Sequence, residues 1–446
     1  MSAPTIAPYG TWDSPISAEL IASGSISLNA VMFSGPGGGL YWRESRPTEG
    51  GRYVIARRGA KGEIEIVTPP DTNVRTLVHE YGGANYLVRD GLLLFSDFVD
   101  QRLYRQDRGD DPLAITPEPG EPRGLRYADP QITPDGRTIV AIRERHDDDG
   151  RGSDATNELV AFSADGSGDA FVIASGRDFY AYPRISPDGT MLAWTEWDHP
   201  NMPWDGTELK VADLSKDGSL SNVRTFAGGP EEAVVQPEWS PDGALHFISD
   251  RTGWWNLYRY GSDGEVVSLA PMEEELGGPQ WSLDAAWYRF LADGRIVCVV
   301  TSRGTDRLGV IEPGSGVVRT IETPFTAFAS IASDGGEQIA VIAGGPTTPS
   351  SVVRINANTG EMEIVRRSIE VDLDAGYLSP PQPIEFLTIG GRTAHALYYS
   401  PANRDYEVPE GELPPLVVFS HGGPTSRSGA ELKLTIQFCT SRAVAV

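Results

Sequence analysis

Between about Ser25 and about Ile369 the apolar residues come in runs of four to seven, and Gly, Pro, Asp or Asn separates each run from the next. That rhythm predicts short β-strands joined by tight turns, with little helix. One unit recurs closely: Pro130-Gln-Ile-Thr-Pro-Asp-Gly136, Pro183-Arg-Ile-Ser-Pro-Asp-Gly189 and Pro237-Glu-Trp-Ser-Pro-Asp-Gly243, with a decayed fourth copy in Pro279-Gln-Trp-Ser-Leu-Asp284. Their starts lie 53, 54 and 42 residues apart, a period that suits propeller blades of four strands. In each copy a strand ends at Ile or Trp, proline presets φ, and Asp-Gly turns the chain into an apolar strand such as Met191 to Trp194 or Leu245 to Ile248. Looser copies at 31–58, 86–116 and 327–365 bring the expected count to seven, starting near residues 26, 85, 130, 183, 236, 279 and 328. Six or eight remain compatible with the pattern. One blade cannot bury both its faces, so the ring must supply the core.

The pattern changes at both ends. Ser17 to Ile21 is briefly helical, with Ser14 or Ser17 placed to cap it, and residues 1–24 are expected to pack outside the repeats. After Ile369 a Pro-rich passage, 372–383, marks a boundary; Ile384 to Ile389 and Ala394 to Tyr399 then alternate about Gly390-Gly391 as a hairpin. Leu416 to Phe419 is an unbroken apolar run entered through two prolines, which predicts a strand buried on both faces of a parallel sheet. Leu432, Ile436 and Cys439 recur at helical spacing, and Ala443 to Val446 opens another apolar run.

With 446 residues, at least two domains are expected. A formal charge of −25 argues against nucleic acid or an anionic membrane as partner, because phosphate affinity rests on clustered Lys and Arg. The N-terminus carries neither a basic start nor a long apolar segment, and no run approaches 18 apolar residues, so the expected compartment is the cytoplasm. Cys298 and Cys439 lack a second ligand at metal spacing and read as small hydrophobes. No metal or cofactor is expected.

The chemistry concentrates at His421-Gly422-Gly423-Pro424, directly after the apolar run. Glycines there leave peptide N–H groups accessible to a developing negative oxygen, the layout of the oxyanion loop in α/β-hydrolases. The serine elbow G-x-S-x-G occurs nowhere in the 446 residues, and 22 residues follow Pro424. The reading is therefore mainly β: a seven-bladed β-propeller over 25–369, then at 370–446 the beginning of an α/β-hydrolase domain without its Ser, Asp and His triad.

Several strings resemble the prolyl oligopeptidase family of serine peptidases, in the branch of dipeptidyl aminopeptidases and acylaminoacyl peptidases. They are Trp12-Asp-Ser-Pro-Ile16, Arg46-Pro-Thr-Glu-Gly-Gly-Arg52, His79-Glu-Tyr-Gly-Gly83, Trp197-Asp-His-Pro-Asn-Met-Pro-Trp-Asp-Gly206, Ser249-Asp-Arg-Thr-Gly-Trp-Trp-Asn-Leu-Tyr258 and His421-Gly-Gly-Pro424. The resemblance implies a propeller that acts as a lid over a hydrolase domain and admits short peptides. It also implies an oxyanion N–H from Gly422 or Gly423, and a triad that follows the glycine loop. Ala443 stands where relatives carry glycine after Ser-Arg; if that residue ends a helix with positive φ, alanine costs about 1 kcal/mol.

Other candidates carry a bland reading beside the functional one. Glu273-Glu274-Glu275 could hold a substrate ammonium group or be a solvated connector. Trp197 and Trp204 could stack on substrate or brace blades, and His79-Glu80 reads as a turn rather than half a metal site. His146 to Asp154 has some flavour of a calcium loop without its oxygen spacing. The expected function is a serine-type peptidase of short peptides whose chain, as it stands, is inactive alone. The rival reading is a propeller kept as a binding scaffold with a vestigial hydrolase segment. A homo-oligomer is compatible with either.

Overall fold

The computed structural model describes residues 3–22, 24–146, 155–261, 264–423 and 425–446. Seven four-stranded antiparallel sheets follow one another, each built from consecutive strands. Their first strands are Leu28–Phe33, Tyr86–Arg89, Leu125–Ile132, Phe179–Ile185, Val234–Trp239, Tyr288–Phe290 and Ala327–Ser333. We number the blades 1 to 7 in that order. The decayed repeat at 279–284 is the exception to the expected starts: it lies in the connector before blade 6, whose turn is instead Ala292-Asp293-Gly294. The proline that would have preset φ is Leu283 there.

The repeated turns show why the motif recurs. In blade 4, Ser186 Oγ donates to Asp188 Oδ1 (2.6 Å), the Met191 N–H returns to Ser186 Oγ (2.9 Å), and Gly189 takes φ +75°. Each first strand of blades 1, 3, 4, 5 and 7 also carries a register shift at a residue of positive φ: Ala30, Asp129, Tyr182, Gln236 and Ser330, at +48° to +59°. A side chain at such φ costs about 1 kcal/mol or more. The bulges are used as joints between blades. Arg184 of blade 4 donates to Asp129 of blade 3 (2.9 and 3.0 Å), Gln236 of blade 5 exchanges hydrogen bonds with the backbone of Trp287 and Tyr288 (2.6 and 2.8 Å), and Ser330 of blade 7 accepts the Val31 N–H of blade 1 (3.1 Å).

Blade 7 packs directly on blade 1, with Leu28, Val31 and Trp42 sharing one cluster with Ala340, Ile342 and Val352. The seam is clasped by Arg58–Glu363 (2.6 Å) and by Arg366 on Glu44 (3.2 Å); the Glu44 side chain is fully buried and also takes the Trp42 indole N–H (2.9 Å). Because the strands within a blade alternate in direction, the first turn of every blade lies on one face of the ring. The loops between second and third strands, and the connectors between blades, lie on the other. On that second face the ring is closed across its axis. The inner strands of blades 2 and 6 stand on opposite sides, yet the Leu283 N–H donates to Gly82 O (2.9 Å), and Val78, Tyr182 and Leu283 are buried together.

Residues outside the ring gather on the same second face. Thr5–Ile6 pairs in parallel with Tyr406–Glu407, Trp12 stacks on Tyr406 (5.9 Å), and Ser14 donates to Ser441 (2.7 Å). Helix Ala18–Ala22 begins with Ser17 Oγ accepting the Leu20 N–H (3.1 Å). The expected hairpin is present as Gln382–Leu387 and Thr393–Tyr398, and the expected helix as Leu434–Thr440. The apolar run Leu416 to Phe419 departs from expectation: it is exposed, and its sheet pairing is one parallel bridge, Leu416 to Ala445. Burying such a run needs strands on both edges and helices over both faces. Among the described residues only Ala445 bridges it, and one helix of seven residues follows.

Candidate active-site face

The glycine loop sits against the ring rather than free of it. Gly422 and Gly423 are exposed and their N–H groups make no hydrogen bond among the described residues; Gly423 takes φ +68°. A Cβ added at Gly423 would stand 3.2 Å from the ring of Trp281. The same indole donates Nε1–H to Thr425 O (2.8 Å). His421 is exposed, with its Nδ1 3.4 Å from Gly422 O. Pro424 lies outside the described residues.

Trp281 is the centre of an aromatic cluster drawn from three loops. Trp204, in the blade 4 insertion, lies at 4.5 Å between ring centroids, and Tyr81, before blade 2, meets it edge-on at 5.5 Å while remaining 67% exposed. Trp197, the other tryptophan of the insertion, is instead core: it stacks on Phe179 (5.1 Å) and meets the half-buried His79 edge-on. Burial holds the His79 imidazole below its ordinary pKa, and the adjacent Glu80 pairs with Arg126 (2.8 Å), so this pair is a structural turn. Residues 147–154 of the calcium-like stretch lie outside the described residues.

The three glutamates separate in role. Glu274 makes a two-point ion pair with Arg307 (2.9 and 2.5 Å), which holds its carboxyl below the ordinary range. Glu275 accepts the Trp255 N–H (2.8 Å); burial, with the charge of Asp250 nearby, raises its pKa. Glu273 is exposed and makes no hydrogen bond or ion pair among the described residues.

Beyond the glycines the chain is strapped to blades 6 and 7. Arg427 Nη2 donates to both oxygens of Asp306 (2.8 Å each), Thr326 donates to Ala430 O (3.1 Å), and the Leu432 N–H donates to Gly345 O (2.8 Å). Sequence reasoning passed over Trp281, Tyr81, Asp306 and Arg427. The decay of the fourth repeat was a usable sign for Trp281, since a turn motif that loses its proline no longer needs its neighbours for the turn. Asp306 and Arg427 stand 121 residues apart and gave none.

No protein-family model matches the chain, and no curated protein matches it. Solved structures do. A puromycin-hydrolyzing peptidase of Mycobacterium tuberculosis is 38% identical, with a TM-score of 0.92 over 99% of this chain and 68% of its own. A puromycin hydrolase is also 38% identical, with a TM-score of 0.91 over the same shares. A prolyl endopeptidase, at 13% identity and a TM-score of 0.68 over 96% of this chain and 61% of that one, shares the fold. With seven blades, a glycine loop laid against their connectors, and 38% identity sustained across 99% of its residues, the chain belongs to the prolyl oligopeptidase family.

Proposed function

We propose that the chain carries the propeller and the opening of the hydrolase portion of a serine peptidase acting on short peptides and aminoacyl amides of the puromycin kind. Residues 1–24 and 370–446 belong to one catalytic unit, and 25–369 to the propeller. Gly422 or Gly423 supplies one oxyanion N–H, a donor whose loss typically costs about 3–4 kcal/mol of transition-state stabilisation. Trp204, Trp281 and Tyr81 present ring faces beside that loop for a substrate side chain. Glu273, Glu275 and Asp250 lie on the same face of the ring and suit the positive amino end of an aminoacyl or dipeptidyl substrate, which favours those over a blocked, acylated one. The closed axis implies that substrate enters from the side, between ring and hydrolase portion. The observation that carries this reading is the contact of Trp281 with Gly423 and Thr425, which sets the propeller surface beside the reacting carbonyl.

G-x-S-x-G does not occur in these 446 residues, and acyl transfer by this route needs a nucleophile and a base; in this reading both come from the segment that follows the glycine loop in relatives. Joining the remaining hydrolase segment of a 38%-identical relative in frame after Val446 tests the proposal. The fusion is expected to release aniline from aminoacyl anilides, aromatic ones fastest, with Trp204→Ala raising KM for the aromatic substrate more than for alanine anilide. A folded fusion that cleaves neither substrate refutes the function; equal effects on both refute the aromatic contact.

A further inference from the structure

A cavity of about 230 Å³ lies between the strap and the inner strands of blade 7. Ala329, Phe328 and Ile342 give it an apolar wall, while Asp306, Arg427 and Glu431 give it a charged one. It is smaller than the roughly 300–1,000 Å³ of pockets that enclose a drug-sized ligand, and so suits a single residue. Asp306 is 1% exposed and has no capacity to spare: Thr301 Oγ1 (2.7 Å), the Phe328 N–H (2.9 Å) and Arg427 fill both its oxygens. Arg427 is the opposite case. One nitrogen, Nη2, serves Asp306 twice, and its Nε and Nη1 hydrogens have no partner among the described residues, on a side chain that is 44% exposed. A guanidinium held at one nitrogen by a buried carboxylate is kept at the cavity and leaves the Nε and Nη1 hydrogens for a second planar anion. The neighbouring Glu431 has its charge met by Lys433 at 3.3 Å, which lessens its repulsion of such an anion.

We infer that this cavity takes the C-terminal residue of a short peptide, with the free carboxylate on Arg427 and the side chain on Phe328 and Ile342. Arg427 follows Gly423 by four residues, a span of at most about 14 Å, which an extended peptide of a few residues covers. The site thus rests on the peptidase reading for its ligand and adds a length rule to it: peptides that end near the strap gain a charged contact that longer chains lack.

Calorimetric titration of the 446-residue chain with glycyl-leucine and with glycyl-leucinamide tests this without any catalysis. The free acid is expected to bind at least about tenfold tighter than the amide, because only the acid offers a charge-assisted pair. Arg427→Gln should erase that preference, Ala329→Leu should weaken both ligands by filling the apolar side, and Arg319→Gln, which removes one exposed charge on the last strand of blade 6 outside the cavity, should leave the preference intact. Equal binding of acid and amide, no saturation by either at millimolar concentration, a preference that survives Arg427→Gln, or an equal loss in Arg319→Gln would each overturn the site. If it fails while the hydrolase fusion cleaves anilides, the carboxylate site alone is wrong. If the fusion is inert while the acid still binds preferentially, the peptidase reading is at fault.

Discussion

The contact across the ring axis can be tested at one atom. A Cβ placed at Gly83 would stand 2.5 Å from the Leu283 nitrogen, 2.8 Å from the Asp284 nitrogen and 2.8 Å from Asp284 Oδ1, and the residue holds φ +98°. Two of those neighbours are backbone and cannot rotate away. Gly83→Ala therefore combines about 1–2 kcal/mol of left-handed strain with about 1–3 kcal/mol of overpacking. Gly136, in the blade 3 turn, is the matched control: φ is +73° and an added Cβ meets nothing within 4 Å. There the strain of about 1–2 kcal/mol is partly offset by the roughly 0.4–1 kcal/mol gained from a stiffer unfolded chain. Urea unfolding followed by tryptophan fluorescence should place Gly83→Ala about 1–3 kcal/mol below Gly136→Ala. Amide exchange at Leu283 should quicken in the first variant and stay unchanged in the second. Equal stabilities, or an unaltered Leu283 amide, would mean that the two connectors do not meet and that the axis is open.

Other outcomes follow from the seam, the interior and the tail. Glu44→Gln leaves Arg366 and Arg46 facing a neutral group; since both are partly exposed, the loss should be about 2–3 kcal/mol by urea unfolding, and a loss near zero would deny the clasp. Burial lowers the His246 pKa to about 4, so the unfolded chain binds the extra proton between that value and about 6.5. Stability should thus fall on acidification through this window, by up to about 3 kcal/mol from this residue, with half-buried His79 acting in the same direction. His246→Phe, which keeps the edge-on contact with Phe290, should flatten that slope, and an unchanged slope would reject the assignment. Ala443 holds φ +69° with its methyl fully buried. Ala443→Gly relieves about 1–2 kcal/mol of strain but loses about 0.8 kcal/mol of methyl burial and about 0.4–1 kcal/mol through the looser unfolded chain, so the terms nearly cancel and stability should change by less than about 1 kcal/mol. A change of about 2 kcal/mol or more by urea unfolding would contradict it.

Much of the ring was legible because its information is local. Ser-Pro-Asp-Gly fixes a turn by itself, and the apolar runs on either side need only alternate, so blade starts expected at 26, 85, 236 and 328 fall within two residues of those found. Blade 6 was misplaced because the reading followed a motif that had drifted out of the turn and into a connector. The tail misled for a different reason. Four successive apolar residues from Leu416 to Phe419 predict burial only when other segments cover them, and periodicity carries no information about partners. The site was half visible: the glycines announce an oxyanion loop by composition, and Trp204 drew attention through its stiff insertion. Trp281 and Arg427 acquire their roles only by meeting residues far along the chain, 144 and 121 positions away. The strings shared with the family marked where to look without stating what each residue touches.

If, as proposed, this chain carries the propeller face and the oxyanion loop of a serine peptidase and its nucleophile lies on another segment, the 446 residues cannot form an acyl-enzyme by themselves. A fluorophosphonate probe reads this out when applied to the purified chain and to the same chain joined to the remaining hydrolase segment of a 38%-identical relative. No covalent label is expected on the first and stoichiometric label on the second, abolished when the serine of the joined segment is replaced by alanine. Label on the 446-residue chain itself, or a folded fusion that takes none, would contradict it.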